Sequence, residues 1–231
     1  MRKVTDLEEV RRIAISLLYM DIDFNDEFPF LCSHPFTNCP YFMYNGKVMS
    51  FQNNAEVQEY WRNEVKNKIN KSNLQTIFAM VNKPYKLCFI KFVEPFLSKS
   101  DFSELLGEAW IVEENPNTDV NVPLSTLVSW FKKTDKKALM QEKDYNGYCS
   151  LPEELVIYRG VGTKTNPNGL SWTLDKKTAL WFANRFNNES GYILKTKIKK
   201  SDTFAYFNGR GEKEIVAQVS PKKYSISKEQ V

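Results

Sequence analysis

The sequence has no long hydrophobic run. No stretch approaches the ~18 consecutive apolar residues of a membrane-spanning helix, so we expect no membrane span. The apolar run at 13–20 is interrupted by Ser16 and leads into Asp21 without a small-residue cleavage site, which argues against a signal peptide. We therefore expect a soluble protein that resides in the cytoplasm.

The sequence is also poor in cysteine and histidine. Its four cysteines are irregularly spaced, which argues against a disulfide framework. Cys32, His34 and Cys39 lie close together, but the pattern Cys-x-His-x4-Cys lacks the second ligand pair of a structural zinc site. We predict buried thiols and a surface loop at this position, and no bound metal.

Charge is distributed unevenly along the chain. Residues 1–150 contain 18 Lys and Arg against 20 Asp and Glu, whereas residues 151–231 contain 14 against 8, a net charge of +6. A basic half attracts anions, and dinucleotides, acidic protein surfaces and nucleic acids all qualify. With 42% hydrophobic and 26% charged residues among 231, the composition fits one large globular domain or two small ones.

Apolar residues at helical spacing predict three helices in the first two thirds of the chain. The first follows a capping-box pattern at 5–8, the second covers 55–69, and the third runs from 124 to about 142. The third helix carries four lysines that we expect to face water, namely Lys132, Lys133, Lys136 and Lys137.

Other segments show strand or loop chemistry. The runs 76–81 and 87–93 are strand-like, and 113–123 is rich in proline and asparagine, as loops and linkers are. From residue 154 onward the sequence alternates short strands and turns, and one helix is capped by Asp175. This order of elements predicts an α+β fold with a mixed, largely helical region over 1–118 and a strand-rich region over 119–231.

Three short motifs follow one another in the second region. They are Val-Ile-Tyr-Arg159-Gly, then Ser171-Trp-Thr173, then Glu212-Lys-Glu214 after a glycine-rich loop. Successive side chains of a strand point to opposite faces, so the two glutamates share one face if the chain between them is extended. Two carboxylates would then lie at the rim of a sheet.

Arginine, Ser-x-Thr and Glu-x-Glu, in this order and each on a predicted strand, resemble the R-S-E class of mono-ADP-ribosyltransferases. The resemblance covers about residues 120–231. It implies a catalytic core of two packed, mainly antiparallel sheets over 119–231. It also implies NAD as co-substrate, no metal, release of nicotinamide, and transfer of ADP-ribose to a protein acceptor.

The resemblance assigns a role to each motif residue. Glu214 would stabilise the positive charge that develops on the ribose when the glycosidic bond breaks, and Glu212 would orient or deprotonate the acceptor. Arg159 would bind the phosphates through its planar guanidinium, and the backbone of Gly160 would contact the nicotinamide amide. Ser171 would hold the catalytic glutamate by a hydrogen bond.

The remaining site residues are assigned more loosely. Thr173 would brace its strand. An aromatic ring would lie against the nicotinamide, and the candidates are Trp172, Phe182 and Phe186. The segment 205–211 resembles the one that recognises the target, where Tyr206 or Phe207 together with Arg210 would meet the acceptor. A glutamate rather than a glutamine at Glu212 favours arginine side chains as acceptors.

The chain departs from the family's hydroxyl motif at its middle and last positions, Trp172 and Thr173, and two other chemistries are excluded. The family's hydroxyl motif is usually Ser-Thr-Ser, so Trp172 is either a stacking surface or a core residue. The only histidine, His34, is distant from the motifs, which argues against a Ser-His-Asp triad. The stretch Gly160-Val-Gly162 lacks the Lys-Ser/Thr ending of a phosphate-binding loop.

Other interpretations remain open at this point. Taken singly, the glutamates fit a solvated sheet edge, Arg159 a structural ion pair, and Ser171 a capped turn. The whole chain fits a catalytically inert binding or inhibitor module on a transferase-like fold. It also fits a protein that binds or modifies nucleic acid, because four lysines, Lys195, Lys197, Lys199 and Lys200, are predicted on one strand face.

The amino-acid usage suggests a source. The chain is rich in Lys, Asn, Ile and Phe and poor in Ala and Gly, which is typical of AT-rich bacterial or phage genomes. A transferase of such origin would be an effector or toxin that acts in the host-cell cytoplasm.

Overall fold

The computed structural model describes residues 2–114, 116–162, 165–185 and 191–230. The chain divides into two compact units, Met1–Glu113 and Glu114–Val231. The sequence predicted the division between residues 118 and 119. In the structure the division lies between residues 113 and 114, so residues 114–118 belong to the unit that also contains the three motifs. One consequence is that Asn117 lies in the same unit as Arg159, Ser171 and Glu214.

The first unit is largely helical. Its described elements are α1 (Leu7–Leu18), β1 (Asp23–Phe24), β2 (Cys32–Ser33), β3 (Tyr41–Tyr44), β4 (Lys47–Ser50), α2 (Ala55–Lys71), α3 (Leu74–Met80), α4 (Lys86–Val93) and α5 (Lys99–Val112). The strands form two small antiparallel pairs, β1 with β2 and β3 with β4. The apolar faces of the five helices are buried and form the core of this unit.

The first two helices form where the spacing of apolar residues predicted them. In α2, Asn54 caps the N-terminus by accepting a hydrogen bond from the Val57 amide, and the predicted stripe that includes Trp61 is buried. In α1 the N-cap is Asp6, whose carboxylate accepts from the Glu9 amide. The predicted capping box at Thr5 is wrong, because the Thr5 hydroxyl donates to Asp101 instead.

The strand-like runs at 76–81 and 87–93 are helices, which corrects the sequence prediction. They lie mainly in α3 and α4, each of which buries one face: Leu74, Ile77 and Phe78 are buried in α3, whereas Phe92 of α4 is exposed. In a short run that is almost entirely apolar, the sequence shows no clear periodicity, so its pattern does not distinguish a strand from a helix. Asn73 caps α3 by accepting from the Thr76 amide. This capping residue was the sequence signal for a helix that the strand prediction missed.

The segment with Cys32, His34 and Cys39 forms a tight turn next to α2. Cys32 and His34 are buried and Cys39 is half-buried. His34 accepts the Phe36 amide at Nδ1, 3.1 Å away, and its ring packs edge-on against Trp61. The described residues contain no group of three or more His, Cys, Asp or Glu side chains placed to hold a metal.

His34 should make the first unit sensitive to mild acid. Burial, assisted by the charge of Arg62, lowers the pKa of His34 from 6.5 to about 4. Between these values the unfolded chain binds a proton that the folded protein does not, so stability falls as the pH drops from 6.5 towards 4, by up to about 3 kcal/mol.

Urea denaturation from pH 7 to pH 4.5, followed by fluorine NMR of fluorotryptophan-labelled Trp61, measures this loss. The variant His34→Asn retains an acceptor for the Phe36 amide and cannot titrate, so its midpoint should be nearly flat over the same range. An equal slope in both proteins contradicts the assignment.

The second unit combines helices with a larger sheet. Its described elements are α6 (Leu124–Lys133), α7 (Lys136–Leu139), α8 (Glu142–Ser150), β5 (Glu154–Val161), β6 (Ser171–Thr173), α9 (Lys176–Asn184), β7 (Tyr192–Lys199), β8 (Thr203–Phe207), β9 (Glu214–Ala217) and β10 (Ile226–Gln230). The chain is thus of mixed α and β structure with antiparallel sheets. Among all helices described in the two units, none is both long and apolar enough to cross a bilayer.

The six strands of the second unit form one antiparallel sheet rather than the two packed sheets that were expected. The strand order is β10-β7-β5-β6-β9-β8. The halves β10-β7-β5 and β6-β9-β8 meet only along β5 and β6, where one register pair, Tyr158 opposite Thr173, joins them. Because β6 has only three residues, the ladder next to β5 is short, and within the described ranges most of β5 has no strand partner on this side.

The single helix predicted over 124–142 is divided into segments. Thr134 is extended, and Asp135 starts α7 by accepting from the Ala138 amide, so the chain turns between α6 and α7. Lys136 does not simply face water. Its ammonium donates to the Tyr148 hydroxyl at 2.5 Å and to the Thr203 carbonyl at 2.7 Å, which links α7, α8 and β8.

Helix α9 packs directly on β5 at a glycine. Asp175 caps α9 by accepting from the Lys177 amide, as predicted. A Cβ added at Gly160 would lie 2.0 Å from the carbonyl oxygen of Ala179 and 2.6 Å from the amide nitrogen of Ala183. Only a residue without a side chain therefore allows α9 to approach the sheet this closely.

The substitution Gly160→Ala should destabilise the second unit by at least about 2 kcal/mol, because backbone atoms of α9 would have to move. Gly209→Ala is the matched control, since a Cβ at that position meets no atom within 4 Å, and it should change stability by less than about 1 kcal/mol. Urea denaturation followed at fluorotryptophan-labelled Trp172 compares the two. Equal midpoints would contradict the packing described.

Candidate functional site

The three motifs lie on neighbouring strands. Arg159 is in β5, Ser171 and Thr173 are in β6, and Glu214 begins β9, and these strands are adjacent in the order β5-β6-β9. Thr173 faces Tyr158 on one side and Glu214 on the other. The sheet therefore brings three distant stretches of the sequence together around β6.

Arg159 is a buried cation held by backbone carbonyls. Its side chain donates from Nη1 to the Ser171 carbonyl and from Nη2 to the Asn166 carbonyl, the latter at 2.7 Å. Burial lowers the pKa of Arg159 to about 10, and the negative charge of Glu214 opposes this shift, so the guanidinium is charged at neutral pH. Nε is buried and has no hydrogen-bond partner within the described part of the chain.

The turn before β6 is shaped by these contacts. The Gly169 amide donates to the Asn166 carbonyl at 3.1 Å, the same oxygen that accepts from Arg159. A Cβ at Gly169 would lie 2.1 Å from Nη2 of Arg159 and 3.0 Å from Cγ of Asn117. The absence of a side chain at Gly169 thus allows an arginine and an asparagine to reach the same point.

Ser171 is half-buried and its hydroxyl bonds a residue that the motifs did not include. Nδ2 of Asn117 donates to Oγ of Ser171 at 3.1 Å, and Oδ1 of Asn117 accepts from the Leu170 amide at 2.6 Å. The predicted partner of this hydroxyl was Glu214. Asn117 was missed because it lies in the segment 113–123, where asparagine indicated only a loop.

Glu214 is 8% exposed, although it is an acidic residue at the start of a strand. Burial of a carboxylate is costly unless an opposite charge or hydrogen bonds compensate for it. The interaction with the charge of Arg159 provides part of that compensation. Arg159 and Glu214 are therefore a buried cation and a buried carboxylate on the two strands that flank β6.

Glu212 is placed differently from the prediction. Lys213 has a φ of +48°, in the left-handed region, so the chain between Glu212 and Glu214 is not extended and strand alternation does not apply to the pair. Glu212 lies before β9, with 26% of its side chain exposed, and it pairs with Arg210 at 3.3 Å. Its carbonyl accepts from the Thr173 hydroxyl at 2.6 Å, so Thr173 braces the loop as well as its own strand.

The loop before β9 is held at its start. The Asn208 amide donates to the carboxylate of Asp144 in α8 at 3.0 Å, and Oδ1 of Asn208 accepts from the Lys213 amide at 3.0 Å. Gly211 adopts a φ of +73°, which an L side chain rarely adopts. These contacts fix the path of the chain from β8 to the two glutamates.

Two of the predicted aromatic residues are not where the prediction placed them. Tyr206 and Phe207 are 9% and 4% exposed and pack in the core, so neither ring faces an acceptor. They belong to β8 rather than to a loop. Trp172 is also buried and lies opposite Ile215, on the sheet face away from Ser171. Phe182 in α9 is half-buried, and Phe186 lies outside the described residues.

The lysine row that suggested nucleic-acid binding is shorter than predicted. Lys200 lies in the 3₁₀ turn after β7, and its ammonium donates to the Leu151 carbonyl at 2.8 Å. On β7 itself, Lys197 pairs with Glu154 at 2.5 Å. The face therefore offers fewer free cations to a phosphate backbone than the sequence indicated.

Comparison with known proteins assigns the chain to no family. No protein-family model, no curated protein and no solved structure matches the chain. The assignment of a function therefore depends on the residues of the site alone.

Arg159→Lys should destabilise the second unit by about 1–3 kcal/mol, since one ammonium cannot replace a planar fork that reaches two separate carbonyls. Arg210→Lys, at an exposed arginine that pairs with Glu212, should cost less than about 1 kcal/mol. Urea denaturation read at labelled Trp172 provides the comparison. If the two variants lose the same stability, the structural role given to Arg159 is wrong.

Proposed function

We propose that the chain is an NAD-dependent mono-ADP-ribosyltransferase that transfers ADP-ribose to a protein arginine and releases nicotinamide. The observation that carries the proposal is that a buried arginine, Arg159, and a buried carboxylate, Glu214, lie on the two strands that flank β6, the strand of Ser171. Three motif residues with these chemistries on adjacent strands support it. The two packed sheets expected of the family are not part of this support.

Glu214 is the residue proposed to act on the reacting bond. Cleavage of the bond between ribose and nicotinamide leaves positive charge on the ribose, and a fixed carboxylate lowers the energy of that charge. Because Glu214 is buried, its charge is screened less by water than an exposed carboxylate would be. Its position in a strand, opposite Thr173, holds it in place before substrate binds.

Arg159 is proposed to have two functions. Two of its N–H groups position the turn at 166–171, as the structure describes, and its buried Nε–H has no partner there. A phosphate oxygen is a suitable acceptor for such a group. The fit of NAD to this chain rests on that donor, which has no partner in the part of the chain that the structure describes.

Glu212 is proposed to face the acceptor. It is more exposed than Glu214 and already pairs with one guanidinium, that of Arg210. An acceptor arginine presents the same group, so Glu212 has the chemistry to orient it and to take the proton that its nitrogen loses on bonding to the ribose. A bacterial or phage effector that modifies host proteins is the biological role that we propose.

Glu214→Gln should lower both NAD hydrolysis and ADP-ribose transfer by at least about 100-fold, because it removes the charge that stabilises the ribose cation but keeps the side-chain shape. Glu212→Gln is the matched control. It should reduce transfer to an arginine-rich protein while NAD hydrolysis changes much less. Nicotinamide release and incorporation of labelled ADP-ribose measure the two activities, and circular dichroism checks the fold.

Two results would overturn the proposal. Wild-type transfer by Glu214→Gln would remove the role given to that residue. A wild-type chain that neither releases nicotinamide nor labels any protein in a lysate would leave the inert binding module as the better explanation. Binding to DNA or RNA that weakens steeply with salt would instead favour the nucleic-acid interpretation.

A further inference from the structure

Asn117 connects the backbone before β6 to the Ser171 hydroxyl. It lies in the short 3₁₀ turn Pro116–Thr118. Its carboxamide spans two groups, with Oδ1 at 2.6 Å from the Leu170 amide and Nδ2 at 3.1 Å from Oγ of Ser171. Its own carbonyl accepts from Nδ2 of Asn166 at 3.5 Å. Asn117 is thus attached to the same turn that Arg159 holds.

The contact with the Leu170 amide fixes the direction of the hydrogen bond between Asn117 and Ser171. A backbone N–H only donates, so the atom that faces it must be the carboxamide oxygen. The carboxamide nitrogen therefore faces Ser171, and because an NH₂ group only donates, Oγ of Ser171 must accept. The hydrogen of the Ser171 hydroxyl is left to point to a different acceptor.

Ser171 and Glu214 lie on the same face of the sheet. Ser171 is opposite Val216 and Thr173 is opposite Glu214, so Ser171 and Glu214 are diagonal neighbours across β6 and β9. Diagonal positions on one face are about 7–8 Å apart between Cα atoms, a span that two side chains can bridge. The Ser171 hydroxyl therefore lies on the sheet face that also carries Glu214.

We propose that Asn117 is a positioning residue that makes the Ser171 hydroxyl a hydrogen-bond donor towards the Glu214 face of the site. The proposal rests on the transferase function argued above. A donor that is already fixed in direction orients the catalytic carboxylate, or a substrate oxygen beside it, without reorganisation during the reaction. Asn117 acts through Ser171 and touches neither the reacting bond nor Glu214.

The substitution Asn117→Asp tests the direction of the bond. A carboxylate still accepts from the Leu170 amide, but it cannot donate, so the Ser171 hydroxyl must turn and donate to it. We expect kcat for NAD hydrolysis to fall about tenfold, to the level of Ser171→Ala, with KM changed less than twofold. The double variant N117D/S171A should be no slower than either single variant.

Asn121→Asp is the matched control, because it adds the same charge at an exposed position of the same segment. It should keep the wild-type kcat and KM. If N117D also keeps the wild-type kcat while S171A loses it, Asn117 does not position the hydroxyl and the proposal is wrong, although the proposed function stands.

A second measurement does not depend on activity. The carboxylate introduced by N117D would accept two hydrogen bonds, so NMR titration should place its pKa below the ordinary value near 3.9, and addition of S171A should raise it again. The positive charge of Arg159, which lies close to residue 117, affects the pKa of the new carboxylate equally in both variants. Equal pKa values in N117D and N117D/S171A overturn the proposal.

This titration also separates the two failures. A wild-type chain that consumes no NAD refutes the proposed function. The pKa difference between N117D and N117D/S171A then decides on its own whether Asn117 sets the direction of the Ser171 hydroxyl.

Discussion

The buried guanidinium of Arg159 is the constraint on which the rest of the site depends. A charge of this kind is stable in a protein interior only if its N–H groups find acceptors and an opposite charge lies near. The carbonyls of Ser171 and Asn166 accept from Nη1 and Nη2, and the charge of Glu214 favours the charged form of Arg159, whereas Nε–H has no partner among the described residues. The turn before β6 is thereby tied to β5, and β6 pairs with β9, so the three motifs meet.

The location of this charge follows from the shape of the sheet. The two halves of the sheet join along the three-residue strand β6, and beyond Tyr158 no residue that the structure describes pairs with β5 on that side. In an unbroken sheet, neighbouring backbone groups would occupy the space at this edge. Here the Arg159 side chain instead donates to the Ser171 carbonyl across the junction between β5 and β6. A cation and polar groups therefore lie where the ladder between these strands ends.

The sequence predicted the parts of this fold whose signals are local. The helix capped by Asp175, the stripe of α2 and the motif strands each appear where spacing or capping placed them. The prediction failed for α3 and α4 because a short run composed almost entirely of apolar residues shows no periodicity in the sequence, although each helix buries only one face. Asn117 could not be found this way, because its role comes from contacts with a turn about fifty residues later.

The departure at Trp172 is less disruptive than the sequence suggested. In a three-residue strand the first and third side chains share one face and the middle one points to the other. Ser171 and Thr173 therefore lie on the face of Glu214, whereas Trp172 packs opposite Ile215 and is 4% exposed. A large residue in the middle of the hydroxyl motif changes the core on one side of β6 and leaves both hydroxyls on the other, so it does not argue against the proposed chemistry.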